Sequence, residues 1–389
     1  SARPPVGLSL LGRRAPALAG MTFALRGGRP GPAGGSTGAV PVRATLAVAV
    51  LGLCGVVAVA TFSSSLDRLG ESPARYGWAA DFAIIDSRPF DLEDLATDQR
   101  VAALVDSSAA TVQIAGRRVQ GIFLRPLKGE TPLTVLTGRL PRRDDEVALG
   151  SREADRLGAT VGSTVPLTTY DRDGARGRRT LRVVGLVITP PVNEGLGGGV
   201  FLTARTATAA SRSTAFTTAF VDVAPGVDAQ AMYAELAQRL EMIPAAQPAE
   251  VRNLVALGRL PALLATFLTL LAVAVLAHSL VLTGRRRARD LAVLRVIGLT
   301  PAQVGGALVA MALTIGVVGL ALGPLLGLAV GRVVWGEVAS GIGTAGDPAV
   351  PWLLLLAAAP LVLVGTALVA LLPARRAATL RPAEVLRSE

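Results

Sequence analysis

His278 is the single histidine of the 389-residue chain. Imidazole-centred acid–base or zinc chemistry therefore has one place to reside. It lies inside an apolar run, Leu260–Leu282, where an ionisable group counts first as a functional candidate. A zinc site or a nucleophile–histidine–acid set needs further ligands or partners at matching spacing, and none is spelled near it. A neutral helix-packing histidine asks for no partner at all. The one cysteine, Cys54, lies in a different apolar run and reads as a small apolar residue.

Other candidate clusters fall short in specific ways. Asp171-Arg172-Asp173-Gly174 opens like a calcium loop but lacks the later ligands and the closing glutamate. It reads as an exposed turn. Asp144, Asp145 and Glu146 could hold a cation at a strand start, with a solvated turn as the simpler reading. Gly195, Gly197, Gly198 and Gly199 would suit a phosphate only with a strand before them and a helix N-terminus after them; without those they read as a flexible hairpin. Lys128 is the only lysine, and it is followed by Gly129 and Glu130, so the nucleotide-cradling G-x-x-x-x-G-K-[ST] pattern is missing. No catalytic residue, metal or cofactor site is expected.

One stretch remains, Thr283–Gln303, reading T-G-R-R-R-A-R-D-L-A-V-L-R-V-I-G-L-T-P-A-Q. Leu291, Leu294 and Ile297 follow helical spacing, Arg285–Arg289 suit lipid headgroups, and Gly298 is a natural helix stop. Two readings stand on these residues alone: a surface helix that docks a partner, or a basic loop that fixes topology.

The elements around it explain its position. Hydrophobic residues make up 51% of the chain and fall in blocks. A membrane crossing takes about 20 apolar residues, and Ala44–Phe62, Leu260–Leu282, Val304–Val330 and Trp352–Leu372 each provide them. The formal net charge is +11. Arginines cluster beside these runs, where topology accounts for them, so no nucleic-acid partner is expected. The basic N-terminal segment, Arg285–Arg295 and the tail with Arg375, Arg376, Arg381 and Arg387 belong on the cytoplasmic side. The loop carrying Arg332, Glu337 and Asp347 belongs outside.

The expected fold is a membrane protein with four transmembrane α-helices, one plus three, and an α+β extracytoplasmic domain inserted between helices 1 and 2. The ranges are 1–42 cytoplasmic basic linker, 43–65 first span, 66–250 extracytoplasmic domain, 251–283 second span and 284–303 cytoplasmic surface helix. Then follow 304–332 third span, 333–350 short outer loop, 351–373 fourth span and 374–389 cytoplasmic tail. Within 66–250 the alternation predicts strands at Asp81–Asp86, Glu146–Leu149, Val161–Thr168, Thr180–Val187, Val200–Thr203 and Thr214–Val223. A hairpin is predicted over Thr111–Leu127 with Gly116 at its turn, and helices over Leu92–Val105, 151–158 and Asp228–Glu241. A cysteine introduced at Ser151 would report exposure of this domain on the outer face. In the third span Gly319, Gly323, Gly327 and Gly331 share one helical face, a spacing that allows close helix–helix approach in lipid; Pro324 interrupts it.

Two motifs carry a family resemblance. R-D-L-A-V-L-R-V-I-G-L-T-P-A-Q-V resembles the R-E-I-G-x-L-R-A-x-G-A-[TS]-x-x-Q-[IV] motif of FtsX-like, MacB-type ABC transporter permeases. The tail P-A-R-R-A-A-T-L-R-P-A-E-V-L-R is similar to that family's ending. In the outer domain, G-R-L-P-R-R-D-D-E-V-A-L-G, L-G-A-T-V-G-S-T-V-P-L and L-R-V-V-G agree with it too. The resemblance implies a permease subunit without ATPase activity of its own, coupled to a dimer of cytoplasmic ABC ATPases. Its docking residues would be Arg289, Asp290, Leu291, Leu294, Arg295 and Gly298, with Asp290, Ala292 and Val296 departing from the motif. It implies export or extraction of a lipid, lipoprotein, peptide or drug. The alternative is a non-transporting module of the same architecture that regulates a cell-wall enzyme. P-V-R-A-T-L-A-V-A-V-L-G and Y-G-W-A-A-D resemble the second half of long actinobacterial two-module permeases. The bilayer partner would then be a second module of the same longer chain, or otherwise a homodimer mate.

Overall fold

In the computed structural model, residues 42–86, 89–170, 176–190, 195–207, 216–286 and 300–379 are described. They form two units. One holds the long apolar helices; the other comprises Ser65–Gly258 together with Trp335–Asp347.

The helical unit begins with α1, Val42–Glu71. Its 30 residues extend to about 45 Å, beyond the roughly 30 Å hydrocarbon core. The stretch Thr45–Glu71 is long and apolar enough to cross a membrane, as are Ala249–Val275 and Val309–Ile342; the apolar part of the last helix, Trp352–Leu368, is shorter among the described residues.

The strand-rich unit follows α1 in sequence. Its elements are β1 (Phe82–Ile85), α2 (Pro89–Thr97), β2 (Val101–Ile114), β3 (Arg117–Lys128), β4 (Val135–Gly138), β5 (Glu146–Gly150) and α3 (Ser151–Leu157). Then come β6 (Thr164–Tyr170), β7 (Arg176–Val187), β8 (Val200–Thr203), β9 (Phe216–Val223), α4 (Ala229–Leu236), β10 (Met242–Pro244) and α5 (Ala249–Ala256). The remaining long helices are α6 (Arg259–Arg286), α7 (Pro301–Ile342) and α8 (Trp352–Thr379).

Strand pairing gives the unit two halves. β2 pairs β3, β3 pairs β8, β8 pairs β5, β5 pairs β7, β7 pairs β6, and β6 returns to β2. This closed ring of six strands leaves no free edge within it. Val112, Ile114, Val147, Leu149, Leu167 and Leu181 fill its interior. The N-terminal half of β2 continues into β9, β1 and β10, and α2 and α4 cover that half through Leu92, Leu95, Met232 and Leu236. β2 is long enough, at 14 residues, to belong to both halves. The β2–β3 connection is the expected hairpin. Ala115 and Gly116 take φ 46° and 84°, the pair of positive values that a two-residue hairpin turn of matching twist requires.

Two expectations need correcting. The helix predicted over Leu92–Val105 ends at Thr97, and Val101–Val105 is strand. Val101, Leu104 and Val105 are all buried against β9, and that pairing overrides the local helical spacing. The outer loop predicted over 333–350 is helix as far as Ile342, because Trp335 and Ala339 are buried at helical spacing. β4 and β10 were not predicted; each is short and sits at an edge of the sheet.

Candidate functional site

The predicted docking residues Arg289, Asp290, Leu291, Leu294, Arg295 and Gly298 lie outside the described residues. What brackets them is defined. α6 runs to Arg286, and α7 opens with Thr300-Pro301-Ala302-Gln303. The Thr300 N–H donates to Gln303 Oε1 at 2.8 Å, and the Gln303 N–H donates to Thr300 Oγ1 at 3.4 Å. This reciprocal pair is a capping box, with proline at the first helical position where its missing N–H costs nothing.

Within the helical unit, the glycine face of α7 lies on α1. A Cβ added to Gly323 would meet Leu53 Cβ at 2.8 Å, and one at Gly331 would meet Thr61 Cβ at 2.7 Å. At Gly327 it would meet the Cys54 carbonyl oxygen at 2.6 Å and Val57 Cβ at 2.7 Å. Gly319 is looser, its nearest neighbour being Ala49 Cβ at 3.7 Å. α1 uses its own glycines against α6: Gly52 would meet Ala272 Cβ at 2.8 Å and Gly55 would meet Leu268 at 3.2 Å. α1 is therefore gripped on two faces. By contrast, α6 leaves Leu263, Phe267 and Leu270 exposed. His278 is also exposed on α6.

An apolar cavity of about 600 Å³ opens among the ends of three helices in this unit, bounded by Val59 and Ser63 of α1, Ala262 and Ala265 of α6, and Trp352 and Leu353 of α8.

In the strand-rich unit the carboxylates of the acidic step at 144 and 146 are engaged by protein partners. Among the described residues, no group of three or more histidine, cysteine, aspartate or glutamate side chains is placed to hold a metal. Asp144 accepts from the Thr203 hydroxyl at 2.7 Å and pairs Arg205 at 3.4 Å. Glu146 is buried and takes both nitrogens of Arg139, at 2.7 and 2.5 Å. The Arg142 and Arg143 N–H groups also donate to it, at 2.9 and 3.3 Å. The Arg139 hydrogen bonds, with smaller help from those two backbone donors, hold the Glu146 carboxyl down at about 2 against burial. The G-R-L-P-R-R-D-D-E stretch is thus a loop tied by its own glutamate. Asp222 moves the other way: burial raises it, and neighbouring Asp81 adds to the shift.

The glycine run is not a free hairpin. Gly197 O accepts from the Arg152 and Glu153 N–H groups at 2.9 and 3.3 Å, so the loop caps the start of α3 with a carbonyl rather than presenting N–H groups to an anion. Beside it the Ser151 hydroxyl is buried, which makes Ser151 a poor labelling position. The residues that sequence reasoning missed are Arg75, Gly343 and Asp347. Their partners lie up to 272 positions away, and the one local signal was a glycine at each bend.

These features define a polytopic membrane subunit that carries a strand-rich domain after its first apolar helix. Residues 44–239 match the MacB-like periplasmic core domain, and residues 262–382 match the FtsX-like permease C-terminal region. The chain belongs to the FtsX-like, MacB-type permease family, the membrane components of ABC-type systems. Among solved structures, a domain assigned to a permease protein from Porphyromonas gingivalis is similar at 12% identity and TM-score 0.29, covering 47% of this chain and 98% of that one. The extracellular domain of the ABC-type transporter YknZ from Gram-positive bacteria is similar at 14% identity and TM-score 0.25, covering 45% and 92%. A comparison with curated proteins finds no match.

Proposed function

We propose that this permease subunit couples ATP hydrolysis by a cytoplasmic ABC ATPase dimer to movement of its outer domain, exporting or extracting an apolar or amphipathic cargo: a lipid, lipoprotein, peptide or drug. The single observation that carries this reading is the order of residues in the sequence: between the apolar runs of α6 and α7, the second of which opens at a capped Thr300, lies the basic stretch Arg285–Arg295. Its partner face would be Arg289, Asp290, Leu291, Leu294 and Arg295, closed by Gly298. The arginine clusters support four spans with both termini cytoplasmic, because in that arrangement all of them fall on one side of the membrane. The apolar cavity beside Ser63 and Trp352 suits an acyl chain or similar apolar group. The exposed Leu263, Phe267 and Leu270 of α6 fit a second permease module, either in a longer chain or as a homodimer mate.

Leu294→Asp is the direct test. A charge on the docking face is expected to cut co-purification of the ABC ATPase by about tenfold or more, in line with truncation of an interface anchor. Unchanged co-purification removes the docking assignment. ATP turnover of the purified complex then separates the two functions. Stimulation by lipid or peptide supports transport, whereas turnover that responds only to an added cell-wall protein supports the regulatory alternative.

Topology has its own test. Glu130 is exposed in the strand-rich unit. Glu130→Cys, in a background with Cys54→Ser, is expected to react with a membrane-impermeant maleimide in intact cells. Labelling only after lysis would invert the proposed orientation.

A further inference from the structure

α7 is longer than a membrane needs. Its 42 residues extend to about 63 Å, twice a hydrocarbon core of about 30 Å. Its last part, Trp335–Ile342, and the loop to Asp347 group with Ser65–Gly258 rather than with the apolar helices. Trp335, Ala339, Thr344 and Ala345 are all buried. The end of this helix is therefore core material of the strand-rich unit.

Two attachments hold it there. The first is backbone on backbone. Gly343 ends the helix at φ 80°, its N–H donating to Ala339 O at 2.8 Å, in the left-handed conformation that only glycine takes freely. A Cβ on Gly343 would stand 2.6 Å from Leu196 O and 2.7 Å from Gly197 Cα. Gly197, at φ 71°, faces the same limit, 2.7 Å from Gly343 Cα. No side chain lies between the two segments to rearrange and take up slack.

The second attachment is Arg75. It sits in the single 3-10 turn Pro73–Tyr76 that follows α1. Its guanidinium Nη2 reaches the Asp347 backbone oxygen at 2.9 Å and the Asp347 carboxylate at 2.6 Å. Its own carbonyl accepts from the Ala345 N–H at 3.0 Å. The Arg75 side chain is only 13% exposed while that of Asp347 is 59% exposed. Solvent therefore screens the carboxylate side of the pair, and the largely buried guanidinium's bond to the Asp347 backbone oxygen is the firmer part of the clasp. The turn is in turn tied to the sheet, because the Thr134 hydroxyl donates to Ala74 O at 2.6 Å.

We propose that Arg75–Asp347, together with Gly343 on Gly197, is a joint that delivers displacement of α7 to the outer domain. Arg75 acts as a positioning residue that holds the 343–347 loop. The inference rests on the ATP-coupled reading above but reaches beyond it, since it assigns the third apolar helix a direct route into the domain. Without the clasp, Gly346 and Pro348 leave a loop that can absorb the displacement.

The test uses the full chain in lipid nanodiscs with its co-purified ABC ATPase. Spin labels at Glu130→Cys and at exposed Val333→Cys read the distance distribution at rest and with vanadate-trapped ATP. Arg75→Ala is expected to broaden the resting distribution and to cut the ATP-dependent shift by about fivefold or more, while ATP turnover stays near wild type. Arg68 Nη1 also lies 3.5 Å from the Asp347 carboxylate, so the pair is reversed, Arg75→Asp with Asp347→Arg, in a background with Arg68→Ala. That reversal is expected to restore both readouts, and Asp347→Asn, which keeps the backbone acceptor, to lose part of the shift. An Arg75→Ala protein with wild-type width and shift overturns the joint, as does a reversed pair that restores neither. A wild-type protein that shows no shift on trapping, with Arg75→Ala still broadened, supports the joint and overturns the ATP-coupled reading instead.

Discussion

Gly327→Leu is expected to prevent the helical unit from assembling, with little folded protein recovered from the membrane. Even a single added Cβ would stand 2.6 Å from the Cys54 carbonyl oxygen and 2.7 Å from Val57 Cβ. Neither atom is the end of a flexible side chain. Val57 is fully buried, and the carbonyl belongs to the α1 backbone, so relief requires α1 and α7 to separate. Separation forfeits the same close contact at Gly323 and Gly331, since the three share a face. Overpacking of this kind costs about 1–3 kcal/mol where neighbours can give, and here they cannot, so the effect should exceed that range. Gly365→Leu on α8 is the control, because nothing lies within 4 Å of a Cβ at that position. The check is the folded fraction in detergent by size exclusion, with the thermal midpoint of what survives. An unchanged midpoint for Gly327→Leu would mean that α1 and α7 do not pack through this face.

Glu146→Gln is expected to destabilise the strand-rich unit at neutral pH by on the order of 2 kcal/mol, the scale of losing a buried carboxylate from its guanidinium and backbone donors. The Glu146 carboxyl is lowered in the folded chain to about 2 from an ordinary 4.5, chiefly by Arg139. A depressed folded value means that its contribution is fully present above pH 4.5 and is lost as pH falls toward about 2. The unfolding midpoints of wild type and Glu146→Gln should therefore differ most at neutral pH and converge in acid. A difference that stays constant down to acid pH would show that Glu146 acts through shape rather than charge.

Much of the architecture was legible in the residues because its causes are local. Apolar runs of membrane length, the period-two alternation of Thr180–Val187, and the Ala115-Gly116 turn each obey short-range rules. So does the start of α7, where Thr300, Pro301 and Gln303 spell a capping box. Reading Leu92–Val105 as one helix failed because Val101–Val105 obeys a partner 115 to 122 residues downstream, the β9 strand. The acidic step 144–146 was visible, but not its meaning. Whether Glu146 meets a cation or Arg139 depends on how the loop folds back.

By itself the sequence determined that this chain lives in a membrane, which segments are apolar, where its arginines cluster, and which family motifs flank α6 and α8. Each of these follows from composition over a few turns of chain, and so does the list of candidate residues in the 289–298 segment. Tertiary structure alone decided that the glycines of α7 face α1, that six strands close into a ring, and that the end of α7 belongs to the outer unit. The physical reason is the same in each case. Close approach of two backbones, closure of a sheet, and the pairing of Arg75 with Asp347 join residues far apart in the chain, and no local spacing records which distant segment arrives.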